Sequence, residues 1–437
     1  MARRRAAQPY QVTIDSLSHE GRGVGRRDGK TVFVAGALPG ETVMVRVLRR
    51  RRRYDEALAT EIIEAAPERI DEPCAHARVC GGCSLQHLPP ERQVEHKQAV
   101  LLELLEHQGG VTPETVLEPL KGPTLGYRRK ARLGVKYVEK KGGALVGFRE
   151  KGNPFIADIQ HCAVLHPAVG EAIPALRTLI SGLAARASLP QIEVAVSDDR
   201  VALVFRHLEA LSSDDAMALA RFGAAQGFDI WLQPGGPDSA YPLEEGTPAL
   251  LSYRAGSCDI AFSPMDFTQV NADINRAMIE RVLALLAPGP DDQVLDLFCG
   301  VGNFTLPLAR SAGRVFGIEG EAALAERANA NARANGLANV TCVMGDLNDP
   351  AAALPDDAGS FNKVLLDPPR TGAEALIGHF DFGAVQRTVY VSCNPATLAR
   401  DAGLLCSGHG YRLAAAGIMD MFPHTAHVES IAVFDRG

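Results

Sequence analysis

The stretch Gln293-Val-Leu-Asp-Leu-Phe298-Cys-Gly300-Val-Gly302-Asn303 decides how the last part of the chain folds. Its short apolar run indicates a buried strand, and its glycines indicate a tight turn into a helix. Such a turn often holds a nucleotide, although a lone Gly-x-Gly fits a mononucleotide and a dinucleotide equally well. From about residue 263 onward strands and helices alternate. This pattern predicts a C-terminal α/β domain with a Rossmann-like sheet over residues 263–437.

Acidic residues follow the next three predicted strands, at the point where each strand ends. They are Glu319, Asp346 and Asp367. Because sheets of this kind bind ligands beyond the carboxyl ends of their strands, these side chains are candidate ligand contacts. Glu319 lies 19 residues after Gly300, which suits hydrogen bonds from ribose hydroxyls. Thr305 stands where a dehydrogenase pattern, Gly-x-Gly-x-x-Gly, has its third glycine, so that pattern is absent.

A cysteine closes the strand after that. Thr388-Val-Tyr-Val-Ser392 is β-branched and aromatic, as a buried strand should be, and Cys393 follows in the polar turn Ser392-Cys-Asn-Pro395. A thiol at the ligand edge of a sheet is a candidate nucleophile, whereas cysteine as a core residue implies no reactivity. Near the C-terminus, His424-Thr-Ala-His-Val-Glu429 places a carboxylate at the start of the last predicted strand.

Size and composition predict a soluble, cytosolic protein of two or three domains. The chain has 437 residues, of which 46% are apolar. It contains no apolar run of the roughly 20 residues that a bilayer span needs, and its N-terminus lacks an apolar signal core. Nine cysteines, an odd number, in a chain without an export signal favour metal binding or catalysis over disulfides.

The N-terminal part reads as short strands separated by glycine turns, which predicts a small β-barrel of the oligonucleotide-binding kind over residues 1–64. Residues 1–53 carry 13 Lys and Arg against 4 Asp and Glu, including the run Arg49–Arg53, and a second basic stretch covers residues 128–151. Such stretches are candidates for phosphate contacts or are merely solvated strand faces. Residues 65–262 mix strands and helices and predict an α+β central domain.

A cysteine-rich loop opens this central segment. Cys74, Cys80 and Cys83 follow the pattern Cys-x5-Cys-Gly-Gly-Cys, and Cys162 is a distant fourth candidate. Four thiolates hold either a tetrahedral zinc ion or an iron–sulfur cluster, and spacing alone does not decide between them. His76 is a competing ligand by residue type, although a surface position suits it better.

These motifs together resemble the bacterial 23S rRNA uracil-C5 methyltransferases of the RumA type. The resemblance covers nearly the whole chain, and it extends to Tyr127-Arg-Arg129, Asp367-Pro-Pro-Arg370 and Asp266-Phe-Thr-Gln-Val-Asn271. It implies a TRAM barrel, a class I methyltransferase domain that uses S-adenosylmethionine, and a [4Fe–4S] cluster held by the four cysteines. The residues that it implies as cofactor contacts are Gln269, Phe298, Asn303, Glu319, Asp346 and Asp367.

The resemblance also implies a mechanism and a partner. Uracil C5 is a weak nucleophile, so addition of Cys393 to C6 would activate it, and Glu429 would then remove the C5 proton. The expected product is 5-methyluridine in 23S rRNA, made by a monomer. One rival is the same chemistry on tRNA or on another rRNA uridine. The rival from another class is a non-catalytic, iron–sulfur RNA-binding sensor.

Overall fold

The N-terminal segment folds as a closed barrel of five strands in the order β1-β2-β3-β5-β4, which confirms the predicted barrel. The computed structural model describes residues 8–437, so Arg3–Arg5 of the predicted basic terminus lie outside the described residues. The strands are β1 (Tyr10–Leu17), β2 (Gly23–Arg27), β3 (Lys30–Ala35), β4 (Thr42–Arg50) and β5 (Tyr54–Glu64).

Alternating side chains build the barrel core, because every second residue of a strand points to the same face. Val12 and Ile14 of β1 and Val32 and Val34 of β3 are buried in this way. A Cβ atom on Gly25 would lie 2.3 Å from the backbone oxygen of Thr13, so only glycine lets β1 and β2 approach this closely.

A helix and a short strand lead away from the barrel. They are α1 (Pro90–His107), with Pro90 in its first turn, and β6 (Thr115–Val116). Although they belong to the central segment of the sequence, β6 pairs with the strand Tyr411–Met419 of the C-terminal sheet, and the apolar face of α1 packs against the helix Pro395–His409.

The central segment contains a six-stranded sheet in the order β12-β11-β10-β9-β7-β8. Helices α3 and α4 cover it and close a separate apolar core. Its elements are β7 (Lys130–Val138), β8 (Gly143–Gly147), α2 (Pro167–Gly170), α3 (Ile173–Gly182), β9 (Gln191–Val196), β10 (Val201–Arg206), α4 (Ser213–Gln226), β11 (Phe228–Gln233) and β12 (Tyr241–Pro242).

A hairpin and an alternating α/β unit complete the chain. The hairpin packs against α5 and α7, so it contributes to the C-terminal core. The elements are β13 (Leu251–Ala255), β14 (Cys258–Phe262), α5 (Ala272–Leu286), β15 (Gln293–Leu297), α6 (Thr305–Ala309), β16 (Arg314–Glu319), α7 (Ala322–Ala334), β17 (Val340–Met344), α8 (Pro350–Ala353), β18 (Lys363–Leu366), α9 (Glu374–His379), β19 (Arg387–Ser392), α10 (Pro395–His409), β20 (Tyr411–Met419) and β21 (Glu429–Arg436).

The C-terminal sheet has the order β17-β16-β15-β18-β19-β21-β20-β6. Strands β15 to β19 are parallel, and β21 runs antiparallel to both of its neighbours. The order reverses between β15 and β18, and ligands bind at such a reversal, beyond the carboxyl ends of the strands. Apolar cores lie on both faces of the sheet. No helix among residues 8–437 is long and apolar enough to cross a bilayer.

Candidate active site

The glycine turn after β15 has a strained backbone. Phe298 has a φ of 70°, a left-handed conformation that a bulky side chain rarely adopts. Gly302 has a φ of 94°, and a Cβ atom there would lie 2.4 Å from the side chain of Leu306. A strained backbone persists only where the surrounding structure holds it in place, and such conformations are frequent at ligand sites. The strained turn is therefore a candidate ligand site.

Two carboxyl groups support this turn. Glu319, at the end of β16, accepts hydrogen bonds from the backbone N–H of Gly300 at 2.9 Å and of Glu321 at 3.1 Å. Asp296, inside β15, is fully buried and accepts a hydrogen bond from the Thr305 hydroxyl at 2.5 Å. Burial raises the pKa of Asp296 to about 7. Asp296 is not among the residues predicted from the sequence, although an acid within an apolar strand is a signal for it.

Gln269 and Asn303 belong to a neighbouring group of polar side chains. Gln269 lines a small cavity together with Tyr253 and Asn275. Asn303 and Asn275 exchange two side-chain hydrogen bonds, of 2.9 and 3.0 Å, and the Tyr253 hydroxyl donates to Asn303 at 2.9 Å. These bonds use the side-chain oxygen of Asn303 and leave one of its N–H groups for a ligand.

The remaining two predicted cofactor contacts are Asp346, which follows the edge strand β17, and Asp367, which follows the central strand β18. Asp346, after β17, is exposed, and its carboxylate accepts hydrogen bonds from the backbone and side chain of Asn348. Asp367 follows β18, and burial first, then the charges of Asp296 and Glu319, raises its pKa to about 7. Asp367 therefore lies near the glycine turn, whereas Asp346 lies at the exposed edge.

Cys393 lies in a rigid turn between β19 and α10. The Asn394 side chain caps α10 by accepting from the backbone N–H of Ala396, and it donates to the backbone oxygen of Arg370 at 2.9 Å. The Ser392 hydroxyl donates to the backbone oxygen of Asn394. These bonds hold the turn against the Asp-Pro-Pro-Arg segment, so the thiol and the Arg370 side chain are presented together.

Cys393, Glu429 and Arg370 form one electrostatic group. Burial raises the pKa of the Cys393 thiol, the charges of Glu429 and Asp367 raise it further, and Arg370 opposes them. Glu429 is only 3% exposed, and burial, followed by the charge of Asp367, raises its pKa to about 8. Arg370 also contacts His427, at 3.3 Å. A carboxyl group that titrates near neutral pH suits acid–base chemistry, and it lies here beside a thiol that can act as a nucleophile.

An open cleft of about 600 Å³ leads to Cys393. Residues from all three parts of the chain line it: the barrel, the cysteine-rich loop and the C-terminal domain. They include His19, Glu20, Gly81, Gly82, Ser84, Arg370, Cys393, Asn394, Thr425, Ala426 and His427. The cleft is large enough for a nucleotide that is turned out of an RNA strand.

Cys74, Cys80 and Cys83 of the cysteine-rich loop and the distant Cys162 line one separate cavity with mainly apolar neighbours, including Phe148 and Ile159. Cys74, Cys80 and Cys83 are buried and Cys162 is half-buried. His76 accepts a hydrogen bond from the backbone N–H of Gln160 at 3.0 Å. Among residues 8–437, no set of three or more His, Cys, Asp or Glu side chains is arranged around a single metal ion.

The two basic stretches differ in their surroundings. All five side chains of Arg49–Arg53, where β4 turns into β5, are exposed. In the second stretch Arg129 pairs with Asp198 and Arg132 with Glu193, each at 2.5 Å, and the half-buried Lys130 donates to the backbone oxygen of Pro264. Arg129 and Arg132 thus have close acid partners, whereas the first stretch has one distant pair, Arg51 with Glu56 at 3.9 Å, and is otherwise open to a polyanion.

The N-terminal and C-terminal parts of the chain each match a model of a known protein family. Residues 257–436 match the family "tRNA (Uracil-5-)-methyltransferase", and residues 3–59 match the TRAM domain. A crystal structure of the Pyrococcus abyssi tRNA (uracil-54, C5)-methyltransferase with S-adenosyl-L-homocysteine superposes with a TM-score of 0.76 at 26% identity, covering 97% of this chain and 99% of that one. The fold and site thus define an S-adenosylmethionine-dependent RNA uracil-C5 methyltransferase with an N-terminal TRAM barrel.

Full-length relatives narrow the class. The Alkalilimnicola ehrlichii 23S rRNA (uracil(1939)-C(5))-methyltransferase RlmD is 54% identical over 99% of this chain and 98% of its own length. The enzyme of the same name from Alcanivorax borkumensis is 52% identical over 100% of this chain and 99% of its own. The chain belongs to this RlmD family, which confirms the resemblance stated from the sequence.

Proposed function

We propose that this enzyme methylates C5 of a uridine in 23S rRNA and that Cys393 and Glu429 carry the chemistry. The observation that carries the mechanism is the placement of Cys393 at the end of the 600 Å³ cleft, beside Glu429, Asp367 and Arg370. The choice of 23S rRNA rests on the names of relatives that are more than 50% identical over nearly the full length.

We infer that the glycine turn and the strand ends around it hold S-adenosylmethionine. Glu319 and the turn suit the ribose and the polar groups of the cofactor, and Phe298 offers an aromatic ring. When bound, the cofactor supplies an electrophilic methyl group. The full proposed set is Gln269, Phe298, Asn303, Glu319, Asp346 and Asp367, with Asp296 fixing the helix start through Thr305.

In the proposed mechanism Cys393 forms a bond to C6 of the uracil. The thiol proton leaves to solvent in the open cleft, and Arg370 favours the thiolate. The electron pair of the C5–C6 double bond then makes C5 a nucleophile that takes up the methyl group, whose bond to the donor sulfur breaks so that S-adenosylhomocysteine would leave. The Glu429 carboxylate removes the remaining C5 proton, the C5–C6 double bond re-forms, and the thiolate of Cys393 leaves. Each bond made to the enzyme is thereby broken again.

The substrate is tested by incubating the protein with methyl-labelled S-adenosylmethionine and unmodified 23S rRNA or tRNA in parallel. Label in 5-methyluridine of 23S rRNA alone is the expected result. The tRNA arm matters because the superposed Pyrococcus enzyme is a tRNA methyltransferase. Label in tRNA would keep the chemistry and change the substrate, whereas no label in either RNA would favour the non-catalytic sensor.

We also propose that Cys74, Cys80, Cys83 and Cys162 hold a [4Fe–4S] cluster. Four thiols line one cavity, and the backbone N–H of Gly82 donates to the Cys80 sulfur at 3.4 Å, as amides do to cluster ligands. In such a cluster each thiolate binds its own iron, so the four sulfurs need not surround one ion. Iron and acid-labile sulfide in anaerobically purified protein would support the cluster, and zinc alone would replace it.

We further infer three domains, at residues 1–64, 65–262 and 263–437, that act together as a cytoplasmic monomer. The cleft supports joint action because the barrel, the cysteine-rich loop and the C-terminal domain all line it. Light scattering of the purified protein tests the monomer. A dimer mass at micromolar concentration would contradict it.

A further inference from the structure

The loop Asp420–Val428 joins β20 to β21 and ends directly before Glu429. Its residues Thr425, Ala426 and His427 line the cleft beside Cys393. His424, in the middle of the loop, has a φ of 64°, a strained conformation for a residue with a side chain. A strained loop keeps one conformation only where neighbouring groups hold it, so the contacts of this loop fix the residues directly before Glu429.

Gln93 of α1 holds the strained residue. Its side-chain oxygen accepts a hydrogen bond from the backbone N–H of His424 at 2.7 Å. Its amide nitrogen donates to the backbone oxygens of Leu85 and Leu88, at 3.0 and 2.7 Å. Gln93 is completely buried, so each of these bonds is costly to lose.

The segment that follows Cys83 holds the other side of the loop. The backbone N–H groups of Ser84 and Leu85 both donate to the backbone oxygen of His424 at 2.9 Å. The Ser84 hydroxyl accepts from the backbone N–H of Ala426 at 3.1 Å. Ser84 and Leu85, which follow the cysteine-rich loop, and Gln93 of α1 therefore all bond to the loop Asp420–Val428.

Two further contacts fix the beginning of the loop. The Lys97 ammonium, only 1% exposed, donates to the Asp420 carboxylate at 2.6 Å and to the backbone oxygen of Phe422 at 3.0 Å. The Tyr127 hydroxyl donates to the backbone oxygen of Pro423 at 3.1 Å. Buried bonds thus run along the loop up to the residues that line the cleft.

From this geometry we propose that Gln93 and Ser84 are positioning residues for proton removal: they fix the loop that sets Glu429 against the substrate and keeps water from it. Strand pairing with Met419 fixes only the backbone of Glu429. The loop residue His427 contacts Arg370 at 3.3 Å, and the charge of Arg370 acts on the Glu429 carboxyl group. The proposal rests on the proposed function of Glu429 as the base, and it adds residues more than 300 positions away in the chain.

The test uses the full-length protein and 23S rRNA, with the variants Gln93→Leu, Ser84→Ala and Glu429→Gln. If C5 deprotonation is slowed, methylated RNA stays bonded to Cys393, because the thiolate cannot leave first. We expect protein–RNA adduct on denaturing gels for all three variants. A misplacement of about 1 Å can cost about 100-fold in rate, which sets the scale for Gln93→Leu. Ser84→Ala, which removes one bond, should cost less and leave the fold intact.

Gln98 offers a matched control on the same helix. Its side chain accepts a hydrogen bond from the backbone N–H of Ile418, at 3.1 Å, in β20 rather than in the loop. Gln98→Leu therefore removes a similar bond between α1 and the catalytic domain without releasing His424. We expect this variant to accumulate no adduct and to bind S-adenosylmethionine as the parent does.

The outcomes separate the two hypotheses. Adduct in Glu429→Gln, Gln93→Leu and Ser84→Ala, with none in Gln98→Leu, supports the proposal. Adduct in Glu429→Gln but in neither loop variant overturns it and leaves the base in place, as does equal adduct in Gln98→Leu. No adduct in Glu429→Gln overturns the assignment of the base and this proposal with it.

Discussion

Cys393 and the four cysteines of the enclosed cavity all carry thiols, but their surroundings differ. Burial raises the pKa of Cys393 and, to about 12, that of Cys83. Cys393 lies in an open cleft beside Arg370 and two carboxyl groups, whereas Cys83 faces three other thiols and apolar side chains. Burial alone therefore does not distinguish a nucleophile from a ligand. The neighbours do, because a charged, accessible site suits attack on a substrate and an enclosed set of thiols suits a metal.

The largest expected effect is that of Cys393→Ala. Without the thiol C5 is not activated, so methyl transfer should fall by about 10⁴-fold or more. Binding of S-adenosylmethionine, measured by calorimetry, should stay unchanged. Cys406→Ala is a suitable control, since Cys406 is also half-buried in the C-terminal domain. Residual turnover within tenfold of the parent would mean that Cys393 is not the nucleophile.

A pH profile gives the next largest effect. With a pKa of about 8, Glu429 is ionised in only about a tenth of the molecules at pH 7, and only the ionised form accepts a proton. Decay of the protein–RNA adduct should therefore slow about tenfold per unit as the pH falls below 8. Arg370→Gln should move this limb to higher pH, because Arg370 lowers the pKa of Glu429. A flat profile between pH 6 and 8 would contradict the assigned base.

In the four-cysteine cavity, replacement of one cysteine should lower stability rather than activity. Cys162→Ser removes one of the four proposed ligands, so iron content should fall and the Tm should drop by about 5 °C or more. Methyl transfer by the protein that remains folded should change much less than in Cys393→Ala. If Cys162→Ser kept its iron and its Tm, Cys162 would not be a ligand of the cluster.

The smallest effect concerns the two basic stretches. Replacing Arg50, Arg51 and Arg52 with Gln should lower the slope of log affinity for RNA against log salt by about 0.7 to 0.9 for each lost phosphate contact. The matched variant, Arg129→Gln with Arg132→Gln, removes charges that already pair with acids. Its salt slope should stay close to that of the parent. An equal change in both variants would show that pairing with acids does not decide phosphate binding here.

The barrel, the α/β domain and the strand-end residues followed from the sequence because their causes are local. Glu319 and Asp367 share an edge since parallel strands end at the same side of a sheet. The position of α1 did not follow, because its apolar face would suit any core. The grip of Gln93 on His424 joins residues 331 positions apart, and no local pattern carries that information. Asp296 could have been predicted as a site residue, because it is a charged residue within an apolar strand, but it was missed.

The grip on the loop Asp420–Val428 has a consequence for how the chain is made. Gln93 leaves the ribosome long before His424 does, so the last contacts of the active site cannot form until synthesis is nearly complete. Until then, the apolar face of α1 has no partner, because α10 and the strands it covers lie near the C-terminus. Contacts this distant in sequence slow folding and leave apolar surface exposed in the meantime. We therefore expect the nascent enzyme to stay inactive, and prone to aggregation, until the C-terminal segment has been made and has packed against α1.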